Sequence, residues 1–131
     1  MAFFAGKEVL QKGLGLEQNI MFDTIMLNLD NGFHPVNSNF VAPRAGVYLF
    51  SATLMADMSP VEIQAAITVN GVHVARIFGH AISGRHGQTS HTVILHLQAN
   101  DEVCVRNIFF ENRHIFGYLY SSFSGVLLFD M

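Results

Sequence analysis

Apolar residues recur along this chain at alternate positions, in short runs closed by turn formers. That period is the one of half-buried strands, not of amphipathic helices. "NIMFDTIMLNL" predicts a strand ending at the tight-turn signal Asp30-Asn31-Gly32. "GVYLFSATLMA" carries Tyr48, Phe50, Ala52 and Leu54 on one face and Val47, Leu49, Ser51 and Thr53 on the other. Two partly apolar faces suit a central strand with two burial partners. "VEIQAAITV" and "VHVARIF" flank Asn70-Gly71, the strongest hairpin signal present, because a type I′ turn needs positive φ at both central residues. "HTVILHLQ" and "EVCVRNIFF" flank Ala99-Asn100-Asp101 and predict a second hairpin, and "FSGVLLF" supplies the last strand. Eight to ten short strands and no convincing helix imply an all-β sandwich or jelly roll. No linker, low-complexity tract or fixed-period repeat interrupts the pattern, so residues 1–131 read as one domain.

Composition adds a second constraint. Half of the 131 residues are hydrophobic and only 13% are charged. No uninterrupted run reaches the ~18 apolar residues of a spanning helix, and the longest uncharged tail is broken by Gly117, Ser121, Ser122, Ser124 and Gly125. Membrane insertion is therefore not expected. The excess apolar surface is expected to be covered by other subunits as well as by the core. A net charge of −3 gives no general attraction to nucleic acid. Cys104 is the only cysteine, so no intrachain disulfide forms, and its strand setting suggests an inert buried thiol. The opening "MAFFAGKEVLQKG" has no secretory pattern, so a secreted protein would be represented here in mature form. No nucleophile elbow, P-loop, dinucleotide fingerprint or HExxH is present, and the ten acidic residues are scattered. A binding module is expected, not an enzyme.

One spaced pattern is more specific. Phe22, Asn28, Phe33, Phe40, Gly46, Tyr48 and Phe50 form an aromatic ladder running into "FVAPRAGVYLF". This resembles the pattern of the C1q globular domain, whose core reads Phe-x-x-Pro-x-x-Gly-x-Tyr-x-Phe. "AFFA", "ITVNGVHV", "VILHLQANDEVCV" and "SSFSGVLLF" resemble its other strands in the same order, so the likeness spans almost the whole chain. Ala52 departs from the family, which usually has another aromatic there. The resemblance implies a ten-stranded jelly roll of the C1q/tumour necrosis factor type, associated as a homotrimer. It implies that Tyr48 and Phe50 join the aromatic packing, that Phe123 lies at or near a subunit interface, and that at least one of these aromatics takes part in it. No Gly-X-Y stalk is present. Either a stalk lies outside this sequence or the chain is a head-only form. The head-only forms of bivalve molluscs and other invertebrates, which it resembles, imply a secreted, extracellular, lectin-like recognition protein of innate immunity that binds lipopolysaccharide and other microbial polysaccharides. The alternatives are a trimeric signalling or adhesion ligand for a protein receptor and, more weakly, a histidine-based divalent-metal protein.

"GHAISGRHGQTSH" gathers three of the seven histidines, His80, His86 and His91, with Arg85 and no carboxylate. By alignment it falls in a loop ahead of the "HTVILHLQ" strand, where some relatives hold calcium through aspartates. Calcium prefers oxygen ligands. Gly79, His80, Ser83, Arg85, His86 and Gly87 offer no carboxylate, so no calcium or other cofactor is expected. The histidine spacing matches no compact zinc motif. Arg85 can bind phosphate or carboxylate bidentately, and His80 and His86 can exchange hydrogen bonds. Three copies in a trimer would give a multivalent docking surface. A second loop, "FFENRHIFGY", places Glu111, Asn112, Arg113 and His114 beside Phe110, Phe116 and Tyr118, a set suited to sugar stacking and hydrogen bonding. The competing reading of both loops is solvated turns without a ligand. His34 and His73 are expected at the surface, and His96 in a buried hydrogen-bonded site or at the trimer interface.

Overall fold

The computed structural model describes residues 1–57, 62–81 and 85–131. Among them are twelve strands: β1 (Ala2–Lys7), β2 (Gln11–Leu14), β3 (Thr24–Leu29), β4 (Phe33–His34), β5 (Asn39–Val41), β6 (Gly46–Ala56), β7 (Glu62–Val69), β8 (Val72–His80), β9 (Gly87–Leu97), β10 (Glu102–Asn107), β11 (Arg113–Ile115) and β12 (Ser121–Asp130). They form two antiparallel sheets. One runs β9-β6-β12-β1-β3, with the short strands β2 and β11 paired beside β6; the other runs β4-β5-β10-β7-β8. Ten strands thus make two five-stranded layers, as expected, and β2 and β11 are an addition.

The period-two pattern of β6 is realised strictly. Gly46, Tyr48, Phe50, Ala52, Leu54 and Ala56 are buried, and the intervening residues are half-buried. The inward set meets the aromatic ladder. Phe3 stacks on Phe33 and Phe40 with ring centroids 5.0 Å from each. Phe40 meets Phe50 at 5.4 Å, and Phe50 stacks on Tyr48 at 5.9 Å. The ladder's one polar member, Asn28, holds the β3–β4 reversal: its Nδ2 donates to the Phe33 carbonyl (2.8 Å) and its Oδ1 accepts from the Phe33 amide (3.1 Å). Buried Tyr48 donates its hydroxyl to the Arg44 carbonyl at 2.7 Å, and burial raises its pKa.

Phe123, expected at or near a subunit interface, lies in the core of the single chain. It is 0% exposed, and its ring lies 4.9 Å from Phe3 and 5.7 Å from Phe22. Alternation along β12 turns Phe123 inward and leaves Ser122 and Ser124 on the other side. Tyr48 and Phe50 join the core packing as expected, and both are also 0% exposed. All three rings are enclosed within the single chain.

Two turns separate the predicted hairpins. Asn70 and Gly71 have φ of 50° and 83° and join β7 to β8 as a true hairpin. The connection through Ala99-Asn100-Asp101 does not make one. β9 pairs with β6, whereas β10 pairs with β7 and β5 in the other sheet. A turn signature specifies a local reversal; the partner of each strand is decided by the surface it must bury. The "NIMFDTIMLNL" strand is also shorter than expected, beginning at Thr24, because residues 17–20 run along β10 instead: Ile20 N donates to Val105 O (2.8 Å), and Asn107 N donates to Gln18 O (2.9 Å).

Candidate functional site

β6 ends at Ala56, β9 begins opposite it at Gly87, and Ile115 of β11 pairs with Ala56. Three strand ends therefore meet, and they bring together the two loops that the sequence presents separately. Asp57, immediately after β6, lies between two histidines. Its carboxylate oxygens stand 3.9 Å from His86 Nδ1 and 3.8 Å from His114 Nδ1. His86 Nδ1 lies 3.1 Å from the Ala56 carbonyl, which can only accept a hydrogen bond. Nδ1 therefore carries a proton and donates in this contact.

An aromatic platform adjoins this trio. The His86 ring sits 4.0 Å from that of Phe116, which in turn lies 5.5 Å from Tyr118 and 6.1 Å from Tyr120. Tyr118 and Tyr120 are 69% and 51% exposed, a large unburied aromatic surface. Gln88 Nε2 donates to the Tyr120 carbonyl at 2.8 Å and ties the platform to β9. Together these groups bring ring faces for stacking, a carboxylate and two imidazoles from three separate stretches of chain to one end of the sheet.

The predicted residues divide accordingly. His86 and His114 converge on Asp57. Arg85 is exposed beside them, and His80 is exposed at the end of β8 opposite Glu62. Ser83 lies outside the described residues. Arg113 turns away from His114: its guanidinium packs 4.3 Å over the Phe110 ring, and Nη1 donates to the Glu111 carbonyl. The histidine stretch is only partly a loop, since β9 starts at Gly87 and His91 is within it, its Nδ1 donating to the Arg76 carbonyl at 2.7 Å. His96 is exposed on the outward side of β9, opposite Val47. His34 is exposed, and His73 is half-buried against Glu17 at 3.0 Å.

Sequence reading passed over Asp57, Gln88 and Tyr120. Only Asp57 had a usable signal, as the first charged residue after the central apolar strand. Lys7 was missed as well. It is 1% exposed, and its Nζ donates to Gln11 Oε1 (2.8 Å) and to the Met21 carbonyl (2.6 Å). Desolvation lowers its pKa to about 8, against the opposing pull of Asp23. Among the described residues, no three His, Cys, Asp or Glu side chains are grouped as a metal site requires.

Two facing antiparallel sheets define a jelly-roll domain, with Asp57, His86 and His114 gathered where strand ends meet. A sequence model of the C1q domain matches residues 2–128, and the chain belongs to that family. The human and mouse complement C1q tumor necrosis factor-related protein 3 are each 29% identical to it over 113 residues, which is 85% of this chain and 45% of the relative. The chain thus spans less than half the length of those relatives. In fold it is similar to the globular domain of zebrafish complement 1qA protein (TM-score 0.82, 15% identity, covering 99% of this chain and 98% of that one). It is similar also to Eiger TNF from S. frugiperda (TM-score 0.77, 16% identity, 100% and 94% covered).

Proposed function

We propose that this domain is an extracellular recognition module for microbial surface glycans, lipopolysaccharide included, that works as a homotrimer in innate immunity. The observation that carries the reading is the convergence of His86, His114 and Asp57 beside the exposed Tyr118–Tyr120 platform. Sugar rings present apolar C–H faces edged by hydroxyls, and flat aromatics flanked by hydrogen-bonding groups complement both. Arg85 adds a cation suited to lipopolysaccharide phosphates.

Assembly as a trimer is supported by the outward side of the sheet containing β6. Cross-strand register lines up Val126, Leu49 and Ile94 in one row and Phe129, Val47 and His96 in the next. Ile94 and Phe129 are 64% and 66% exposed in the single chain. Contiguous apolar surface of this kind calls for a partner, and repetition of the binding site in a closed assembly converts weak single-site contacts into avidity.

The test is binding of the purified protein to a panel of polysaccharides and lipopolysaccharides, with and without chelator, for wild type and for Tyr118→Ala/Tyr120→Ala. Retained binding in chelator, lost in the double variant with unchanged oligomer mass, is the expected result. Full binding by the double variant would remove the platform from the reading, and wild-type binding to none of the panel would transfer the role to a protein receptor.

A further inference from the structure

At the opposite end of the sandwich, by the β7–β8 hairpin, the outward side of the five-stranded sheet holds a cleft of about 530 Å³. That volume lies in the range of small-molecule sites. Its walls are unusual in chemistry. Asn19, Asn37, Asn39, Asn70, Glu102 and Arg106 line it, and among the described residues no aromatic one does.

These groups are held in place by one another. Asn39 Nδ2 donates to Glu102 Oε1 at 2.6 Å, and Asn70 Oδ1 accepts from the Glu102 amide at 2.9 Å. Arg106 Nε donates to Asn19 Oδ1 at 3.1 Å, while Asn19 Nδ2 donates to the Asn37 carbonyl at 2.9 Å. The positive φ of Asn70 and Gly71 shapes the rim. Capacity for hydrogen bonding remains. Asn39 is only 7% exposed, yet its Oδ1 has no partner. Such a buried, unpaired acceptor is uncommon and costs free energy unless something answers it.

We propose that this cleft binds a neutral, hydroxyl-rich ligand of the size of one or two sugar units, a second saccharide subsite separate from the aromatic platform; the choice of saccharide rests on the glycan reading above. Primary amides each offer a donor and an acceptor on one rigid plane, and so match adjacent hydroxyls, which are donor and acceptor at once. Glu102 and, at 3.9 Å, Glu17 offset the Arg106 guanidinium, and Asp101 accepts from Asn70 Nδ2 at 3.0 Å, so the cleft has no net positive charge to draw anions. Without aromatic walls it selects polar edges, not ring faces.

Cys104 makes the test clean. It is the chain's only cysteine and lines the cleft, its Sγ 3.4 Å from Asn19 Oδ1. Wild type would be titrated with glucose, mannose, galactose, N-acetylglucosamine, maltose and lactose, following the side-chain amide NMR signals of Asn39 and Asn70 and the rate of Cys104 methylthiolation. Saturable amide shifts with slower thiol modification are expected for at least one sugar. Arg106→Ala should weaken that binding by about tenfold or more, the effect of losing a hydrogen bond to a charged group, whereas Tyr118→Ala/Tyr120→Ala should leave it unchanged. No saturable shift with any sugar, in protein that still binds polysaccharide through the platform, would overturn the cleft and spare the platform. Equal or tighter binding of galacturonate would overturn the neutral class. Sugar binding at the cleft by protein that binds no polysaccharide would support the cleft and defeat the platform.

Discussion

Gly125→Ala is a one-methyl change with a definite structural cost. Gly125 pairs across the sheet with Phe3 on one side and Phe50 on the other. A Cβ there would stand 2.6 Å from Phe3 Cε1 and 2.7 Å from Phe50 Cδ1. Carbon contacts are comfortable from about 3.5 Å, so both rings would have to retreat by about 0.8 Å together. Neither is free to do so: Phe3 is stacked against Phe33 and Phe40, and Phe50 against Tyr48. Overpacking of this kind costs about 1–3 kcal/mol, and two blocked rings place it near the upper end. Relief of glycine's backbone entropy returns about 0.5–1 kcal/mol, so steric crowding wins and the net loss is about 2 kcal/mol. With no Trp in the chain, unfolding in urea is best followed by far-ultraviolet circular dichroism, at one protein concentration for all variants. Adding Phe50→Leu to Gly125→Ala should give a coupling of about 0.5 kcal/mol or more, because the smaller side chain vacates the collision site. A Gly125→Ala protein as stable as wild type would refute the account of the ladder.

Phe123→Ala should cost about 3–5 kcal/mol, the range for deleting a buried ring, and the loss should persist at every protein concentration; a loss confined to dilute protein would return Phe123 to a subunit boundary. Ile94→Glu places a charge in the exposed apolar row opposite Leu49 and should reduce the sedimentation mass to that of one chain with the β circular dichroism spectrum retained; an unchanged trimer would move the interface elsewhere. Lys7 has a folded pKa of about 8 against an ordinary 10.5. Between those values the unfolded chain holds more protons, so stability should climb with pH from about 8, by on the order of 3 kcal/mol at full linkage. Tyr48, whose pKa is raised, works in the opposite sense above its ordinary pKa of 10.0, so the climb is read below that pH. Urea midpoints that rise from pH 8 to pH 9.5 in wild type but stay flat in Lys7→Met are expected; equal slopes would remove Lys7 as the cause.

Local chain grammar was enough for the all-β class, the alternating faces of β6 and the Asn70-Gly71 hairpin, because periodicity and turn geometry are carried by neighbouring residues. The spaced aromatics from Phe22 to Phe50 likewise marked the core, since rings that size must be enclosed together. His86 and His114 could each be proposed from residue type and loop setting. Their meeting at Asp57 could not, nor could the burial of Phe123 or the separation of β9 and β10 into different sheets. Each depends on pairings between distant segments, such as Ala2 with Val126. The same holds for the cleft, where Asn19, Asn39, Asn70 and Arg106 come from four stretches of chain that no motif connects. Short-range sequence determines which way a side chain points along its strand; only the closing of the two sheets, driven by burial of the aromatic ladder, determines what it points at.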